Sequence, residues 1–248
     1  MPKVKIDDFD SFAFLRLNNE VSNAIDPELV CDLAAAVKQV RREFQGLVLA
    51  GGDEFFCTGF DLPKLLPLSK REMGNFLFEY DQMIFDIFSV PLPTVCAIKG
   101  HAIGGGNILA LTCDFRFAAE GEKLIGLNEV KLGLPVPYLA DMILRQLIGD
   151  RAASAMLYHG ELMSMSDAHH NGLLDEILPP EDVEARAIQK ISAMVGLPVS
   201  GFGTIKDNRT ESISVRFWQN QAAKRQYFLN GWFNASVRET LMEAAKKF

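Results

Sequence analysis

Residues 94–112 constrain the fold more than any other stretch of this chain. Residues 94–99 form an apolar run with β-branched members, the pattern of a strand buried on both faces. Four glycines follow within seven residues (Gly100, Gly104, Gly105 and Gly106), and then a short apolar helix over 107–112. A buried strand that passes through a glycine turn into a helix belongs to an α/β protein. Glycines at such a joint let a ligand approach the backbone at the positive end of the helix dipole. Taken alone, the cluster fits tight strand–helix packing equally well. It lacks the Lys-Ser/Thr of a P-loop and the spacing of a dinucleotide fingerprint, which excludes both nucleotide readings.

The rest of the chain alternates in the same way. Residues 12–17 and 47–50 read as strands, the second stopped by Gly51 and Gly52, and 113–119 and 173–178 read as later ones. Asp26 before Pro27 is a favoured helix start, with Leu29, Leu33, Val37, Val40 and Phe44 on one face. Ser69 and Glu72 make a capping box. The helix it opens carries Met73, Phe76, Leu77, Tyr80, Met83, Ile84, Ile87 and Phe88 along one stripe, and Pro91 and Pro93 end it.

From residue 191 onward no strand is evident, only helical runs such as 217–232 and 235–247. The charge changes there too: residues 191–248 hold eight Lys/Arg against four Asp/Glu, while the remainder carries a net −11. This divides the chain into a core over 1–190 and a helical region over 191–248. The aromatics of that region (Phe217, Trp218, Tyr227, Phe228, Trp232 and Phe233) are expected to pack on the body or on a neighbouring subunit.

A chain of 248 residues with 48% hydrophobic content can bury a core without disulfides or metals. A net charge of −7 offers no footing for nucleic acid. Cys31, Cys57, Cys96 and Cys113 are scattered, with no zinc-ligand spacing, and each sits in an apolar run. Buried free thiols in a reducing compartment are expected. No signal core, transit-type leader or peroxisomal C-terminal tripeptide is present, and no apolar window reaches the length of a membrane span. The expectation is a soluble, cytoplasmic protein.

Two further segments can carry chemistry. In residues 55–62, Gly59 permits a sharp turn after a strand and leaves backbone N–H groups free for a ligand. In residues 124–135, Glu129 is a carboxylate among mostly apolar neighbours. Buried, its pKa would rise and suit a general base near neutral pH; exposed, it would be an ordinary loop glutamate.

Together, and in this order, the segments resemble the crotonase (enoyl-CoA hydratase/isomerase) superfamily over nearly the whole chain. Asn23-Ala24-Ile25 looks like that family's Asn-Ala-Leu. Phe56-Cys57-Thr58-Gly59-Phe60-Asp61-Leu62 is similar to its Phe-Ser-Ala-Gly-Ala-Asp-Leu. Residues 93–106 are similar to its stretch from proline to glycine triplet, and residues 168–177 to its Ala-x-x-x-Gly-Leu-Val-Asp-x-Val. The fold implied is α/β, a ClpP/crotonase spiral of ββα units whose C-terminal helices make trimer contacts and cover the pocket. The partners implied are an acyl-CoA thioester and further copies of the chain, as a homotrimer or a hexamer, with no nucleic acid or membrane. No metal or redox cofactor is implied, CoA arriving as part of the substrate.

The resemblance makes the N–H groups of Phe60 and Gly105 an oxyanion hole for the thioester, with phenylalanine replacing the commoner alanine at 60. Hydratases of the family use two glutamates. Ile108 stands at the position of the first, and Glu129 matches the second. One carboxylate suits a 1,3-proton shift, and the likeness is greatest to Δ3,Δ2-enoyl-CoA isomerases of the mitochondrial type. Their Ala-Leu-Thr-Cys-Asp-Tyr-Arg is similar to residues 110–116, and their Ile-Gly-Leu-Asn-Glu matches Ile125-Gly126-Leu127-Asn128-Glu129. Glu129 would then move a proton from C2 to C4 of a 3-enoyl-CoA.

The same resemblance puts Val21, Ser22 and Ala24 at CoA contacts, and Leu62, Gly104, Ile108 and Leu132 beside the substrate. Asp61 reads as turn-stabilising at the substrate's edge. Lys64 is placed to meet a CoA phosphate or to lie solvated. Asp141 is either an auxiliary carboxylate or a solvated first-turn residue, and His101 either faces the pocket or is packed away. His159, His169 and His170 read as structural. Two other functions stay open: a hydratase or acyl-CoA hydrolase with water placed by Asp141 or Glu129, and a non-enzymatic scaffold.

Overall fold

The computed structural model describes residues 2–246. The chain opens with a hairpin, β1 (Val4–Asp8) antiparallel to β2 (Ala13–Leu17). Helix α1 (Pro27–Glu43) then returns to β3 (Leu47–Ala50), which lies parallel to β2. A second, smaller sheet begins with β4 (Phe55–Cys57) and is followed by α2 (Leu62–Leu65) and α3 (Lys70–Ser89). The pattern repeats as β5 (Thr94–Ile98), β6 (His101–Ile103) and α4 (Gly105–Leu111). It repeats again as β7 (Phe115–Ala119), β8 (Leu124–Gly126), a 3₁₀ turn over Glu129–Leu132, and α5 (Tyr138–His159). The chain continues through β9 (Met163–Ser164), α6 (Met165–His170), β10 (Glu176–Leu178), α7 (Val183–Val195), α8 (Val199–Trp232) and α9 (Ala235–Ala245).

The large sheet runs β1-β2-β3-β5-β7-β10 and the small one β4-β6-β8-β9. Each turn of the chain therefore lays one strand in each sheet before its helix, three times over, which is the expected spiral of ββα units. The alternation of strand side chains explains why the large sheet reads as unbroken apolar runs. Leu15, Leu49, Cys96 and Ala118 face the main core with α1 and α3. Phe14, Val48, Val95, Ala97 and Phe117 face the other way, onto Val183, Ala187, Ile191 and Val195 of α7. The change of pattern near residue 190 thus falls inside a helix that packs on the large sheet, not between elements.

Local chemistry sets the helix starts as expected. Asp26 caps α1 by accepting from Leu29 N–H at 2.8 Å, with Pro27 inside the first turn. Ser69 and Glu72 close both bonds of the capping box on α3. Three features differ from the expectations. Strands β6, β8 and β9 are not among the strands read from the sequence, because two or three residues are too few to display alternation. Helix α8 spans 34 residues rather than starting near 217. Exposed Ile205, Val215, Trp218 and Tyr227 interrupt its buried stripe and flatten the pattern. Cys31 is exposed on α1, whereas Cys57, Cys96 and Cys113 are buried free thiols as expected. Among the described residues no helix is long and apolar enough to cross a membrane.

Candidate active site

The two glycine turns meet. Residues 22–25 strap the first: Ser22 C=O accepts from Thr58 N–H at 3.1 Å, Ile25 N–H donates to Gly59 C=O at 2.7 Å, and Asp61 N–H donates to Ile25 C=O at 2.9 Å. Asn23, itself at φ +49°, donates its side-chain amide to the carbonyls of Phe55 and Phe56. Because Gly59 and Asp61 bond toward Ile25, the intervening Phe60 N–H points the other way and takes no partner among the described residues. Gly59 adopts φ +87°, and a Cβ there would stand 3.0 Å from Gly105 N. Gly105 is the first residue of α4, so its N–H has no acceptor within the helix. Two unpaired backbone donors, from Phe60 and Gly105, therefore lie on adjoining turns.

These turns wall a cavity of about 370 Å³. Leu62, Gly104, Ile108, Glu129 and Leu132 line it. Glu129 begins the 3₁₀ turn after β8 and is only 8% exposed. Its Oε1 lies 3.5 Å from where a Cβ on Gly104 would stand, and its Oε2 is unpaired. Burial pushes its carboxyl up to about 7. Three more polar atoms of residues lining the cavity are buried without partners among the described residues: Thr58 Oγ1, Tyr80 Oη and Trp232 Nε1. The remaining surface is largely apolar, so these atoms and the two N–H groups are what a polar ligand would meet.

Other expected site residues lie elsewhere. Val21 is exposed, Ser22 spends its carbonyl on Thr58, and Ala24 C=O accepts from the Asn19 amide at 2.6 Å; none of the three lines the cavity. Asp61 does stabilise its turn, capping α2 by accepting from Lys64 N–H at 3.1 Å. Lys64 is held by carboxylates: its Nζ is 2.8 Å from Asp26, 3.1 Å from Asp61 and 3.6 Å from Glu20. Those partners, Asp26 above all, raise its pKa, and their negative charge opposes a phosphate there. The Asp26 carboxyl is lowered to about 2, since burial, which would raise it, is outweighed by bonds from Lys3, Lys64 and Leu29.

Asp141 sits in the first turn of α5 and pairs with Arg145 at 2.6 Å. It lines a neighbouring cavity with Tyr138, Lys224 and Arg225, which shares Tyr80, Leu134, Pro137 and Phe228 with the one containing Glu129. His101 is hydrogen-bonded rather than facing the cavity, its Nδ1 accepting from Leu124 N–H at 3.0 Å with its ring beside Phe55. His169 Nδ1 lies 3.0 Å from the Leu174 carbonyl.

Sequence reasoning missed Tyr80, Phe228, Trp232 and Ala244 as lining residues. Tyr80 sits in the apolar stripe of α3 and looks like core. Phe228, Trp232 and Ala244 come from α8 and α9, whose return over the site leaves no local trace in the sequence. Around the Phe60 ring, Phe76, Tyr80, Phe228 and Trp232 are arranged edge-on at 5.2, 5.0, 6.2 and 6.5 Å.

Comparison with known proteins agrees with this architecture. A family model described as enoyl-CoA hydratase/isomerase matches residues 9–247. Enoyl-CoA delta isomerase 1, mitochondrial, of Homo sapiens is 26% identical over 233 residues, 92% of this chain and 77% of that protein. (E)-Benzylidenesuccinyl-CoA hydratase of Thauera aromatica is 32% identical over 194 residues, 75% of each chain. Among solved structures, human mitochondrial delta3-delta2-enoyl-CoA isomerase shares the fold with a TM-score of 0.95 at 24% identity, covering 99% of this chain and 97% of that one. Enoyl-CoA hydratase from Bacillus halodurans does so with a TM-score of 0.89 at 22% identity, covering 97% and 99%. With the spiral of ββα units, the adjoining glycine turns and a family match over almost its full length, this chain belongs to the enoyl-CoA hydratase/isomerase family, within the crotonase superfamily.

Proposed function

We propose that this protein is an enoyl-CoA isomerase that moves the double bond of a 3-enoyl-CoA to the 2-position. The observation that carries the proposal is the lone acid in the cavity: Glu129 is the one Asp or Glu among the described residues lining it, and Ile108 occupies the adjacent wall. The N–H groups of Phe60 and Gly105 form the oxyanion hole and hold the thioester oxygen. The Glu129 carboxylate takes a proton from C2, the electron pair delocalises over C1 to C4 as a dienolate, and the resulting carboxylic acid returns the proton at C4. No water is consumed. A base titrating near 7 is ionised often enough to act and basic enough to be effective. The largely apolar walls keep water from competing for the dienolate. Addition of water would require a second group to orient it, and the carboxylate of the sequence's candidate, Asp141, is engaged by Arg145.

Incubation with a 3-enoyl-CoA is expected to give the conjugated 2-enoyl thioester, read by its absorbance, with no free thiol and no 3-hydroxyacyl-CoA. Its kcat/KM should rise with pH through about 7 as Glu129 ionises. Release of thiol would mean a hydrolase, formation of 3-hydroxyacyl-CoA from a 2-enoyl-CoA a hydratase, and no turnover on any acyl-CoA a scaffold.

Phe60 limits the acyl group in this scheme. Phe60→Ala keeps the backbone donor but removes the ring around which four aromatics gather. Its kcat/KM for bulky relative to short acyl groups should increase by about tenfold, a change of the size that one side chain in an apolar pocket supports. Stability should fall by roughly 2–3 kcal/mol, less than the loss of a fully buried phenylalanine because this ring is only partly buried. An unchanged ratio across an acyl series would show that the ring does not meet the acyl chain.

A further inference from the structure

The scheme above uses two backbone donors and one carboxylate, and leaves idle a polar group buried on the same wall. Tyr80 lies in the middle of α3, 1% exposed, and its hydroxyl has no hydrogen-bond partner among the described residues. Its ring is fixed by Phe60 edge-on at 5.0 Å and by Phe76 stacked at 6.2 Å. A phenylalanine would fill that space equally well and would spare the chain an unpaired buried hydroxyl, which costs roughly 1–3 kcal/mol. The hydroxyl therefore has a physical cost in the empty protein and no structural return.

Its position says what would satisfy it. Tyr80 Oη stands 3.5 Å from where a Cβ on Gly105 would be. Standard bond geometry then puts it within about 6 Å of Gly105 N. An oxygen accepting from both groups at ordinary hydrogen-bond lengths bridges donors up to roughly 5.6 Å apart. On the neighbouring glycine, Glu129 Oε1 stands at the same 3.5 Å from the Cβ position of Gly104. Phenol and carboxylate thus border consecutive residues of one turn, in one cavity, without bonding to each other. Burial first, and the nearby Glu129 charge second, push the phenol's pKa well up, so it stays protonated and acts as a donor.

We propose that the Tyr80 hydroxyl is a third donor to the thioester oxygen, beside the N–H groups of Phe60 and Gly105, and so a catalytic residue for enolate formation. The proposal rests on the thioester oxygen being held by those two N–H groups, and it does not depend on which reaction follows enolisation. As negative charge develops on that oxygen, the O–H bond to it strengthens, so the effect belongs to the transition state more than to binding.

The test uses a saturated acyl-CoA, hexanoyl-CoA labelled with ¹³C at the thioester carbonyl, and the isosteric variant Tyr80→Phe. In the wild type the bound carbonyl resonance should move downfield, and the C2 protons should exchange with D₂O. In Tyr80→Phe the resonance should move back toward the free ligand and exchange should slow by about tenfold or more. Binding should stay within about twofold, and the pH midpoint of exchange should not move. An unchanged resonance and exchange rate would reduce Tyr80 to packing. An upward move of the pH midpoint would mean that its hydroxyl serves Glu129 instead, since losing a donor to a carboxylate raises its pKa. Binding with no downfield shift even in the wild type would overturn the oxyanion-hole reading itself, and Tyr80's part with it.

Discussion

Glu129→Gln is expected to lose about a thousandfold in turnover of a 3-enoyl-CoA while becoming more stable than the wild type at pH 8. The two effects have one cause. The Glu129 carboxyl titrates near 7 in the folded protein against an ordinary 4.5, because it is buried. A group whose folded pKa is raised leaves stability undiminished below its unfolded pKa and lowers it as pH climbs toward the folded value. The wild type should therefore lose stability between about pH 4.5 and 7 and stay at the lower level above. One pKa unit is worth about 1.4 kcal/mol, so the loss is on the order of 3 kcal/mol. Asp81, partly buried and raised by desolvation to about 6 despite Arg225 beside it, adds a dependence of the same sign in both proteins, which the comparison cancels. Urea titrations at pH 5 and pH 8 check this. Equal stability of the two proteins at pH 8 would mean that the carboxylate is solvated, and with it the case for a tuned base would fail.

Gly106→Ala should be among the most damaging single-methyl additions in the chain. The new Cβ would stand 2.0 Å from the carbonyl oxygen of Cys57 and 2.7 Å from its carbon. Both belong to the backbone of β4, so nothing can swing aside. A loss of about 3 kcal/mol or more follows, which in a chain of this size lowers Tm by roughly 6–12 °C. Gly105→Ala offers the contrast. Its nearest obstacle is Ile25 Cδ1 at 2.8 Å, the far end of a flexible side chain, with Gly59 Cα next at 3.2 Å. That variant should fold and should fail in turnover, because its methyl group narrows the place where the thioester oxygen sits. Thermal melts of the pair decide it: a Gly106→Ala protein as stable as Gly105→Ala would refute the close passage of α4 over β4.

The same contrast marks how much a linear reading can see. Residues 94–106 and 55–62 announce their turns because glycine and buried-strand patterns are local, and the caps at Asp26 and Ser69 are decided within four residues. Glu129 was legible by its apolar setting and by its match to a family motif. Lys64 was not, because the side chains around it come from positions 20, 26 and 61, and only folding brings three carboxylates to one ammonium. For Asp141 the sequence offered an auxiliary carboxylate or a first-turn residue, and only the fold places it in the first turn of α5 against Arg145 and on a neighbouring cavity.

From the sequence alone came the α/β spiral, the two glycine turns and the candidate base, all features specified by contacts close along the chain or by a motif of fixed spacing. The tertiary structure alone decided what surrounds them. It chose Phe228, Trp232 and Ala244 as the residues of α8 and α9 that line the cavity, drew Phe60 into a ring of aromatics from α3 and α8, and left the hydroxyl of Tyr80 without a partner among the described residues beside Gly105. Those contacts join residues from 16 to 172 positions apart, and burial, which raises the pKa of Glu129, is a property of the packed molecule that no short window of residues contains.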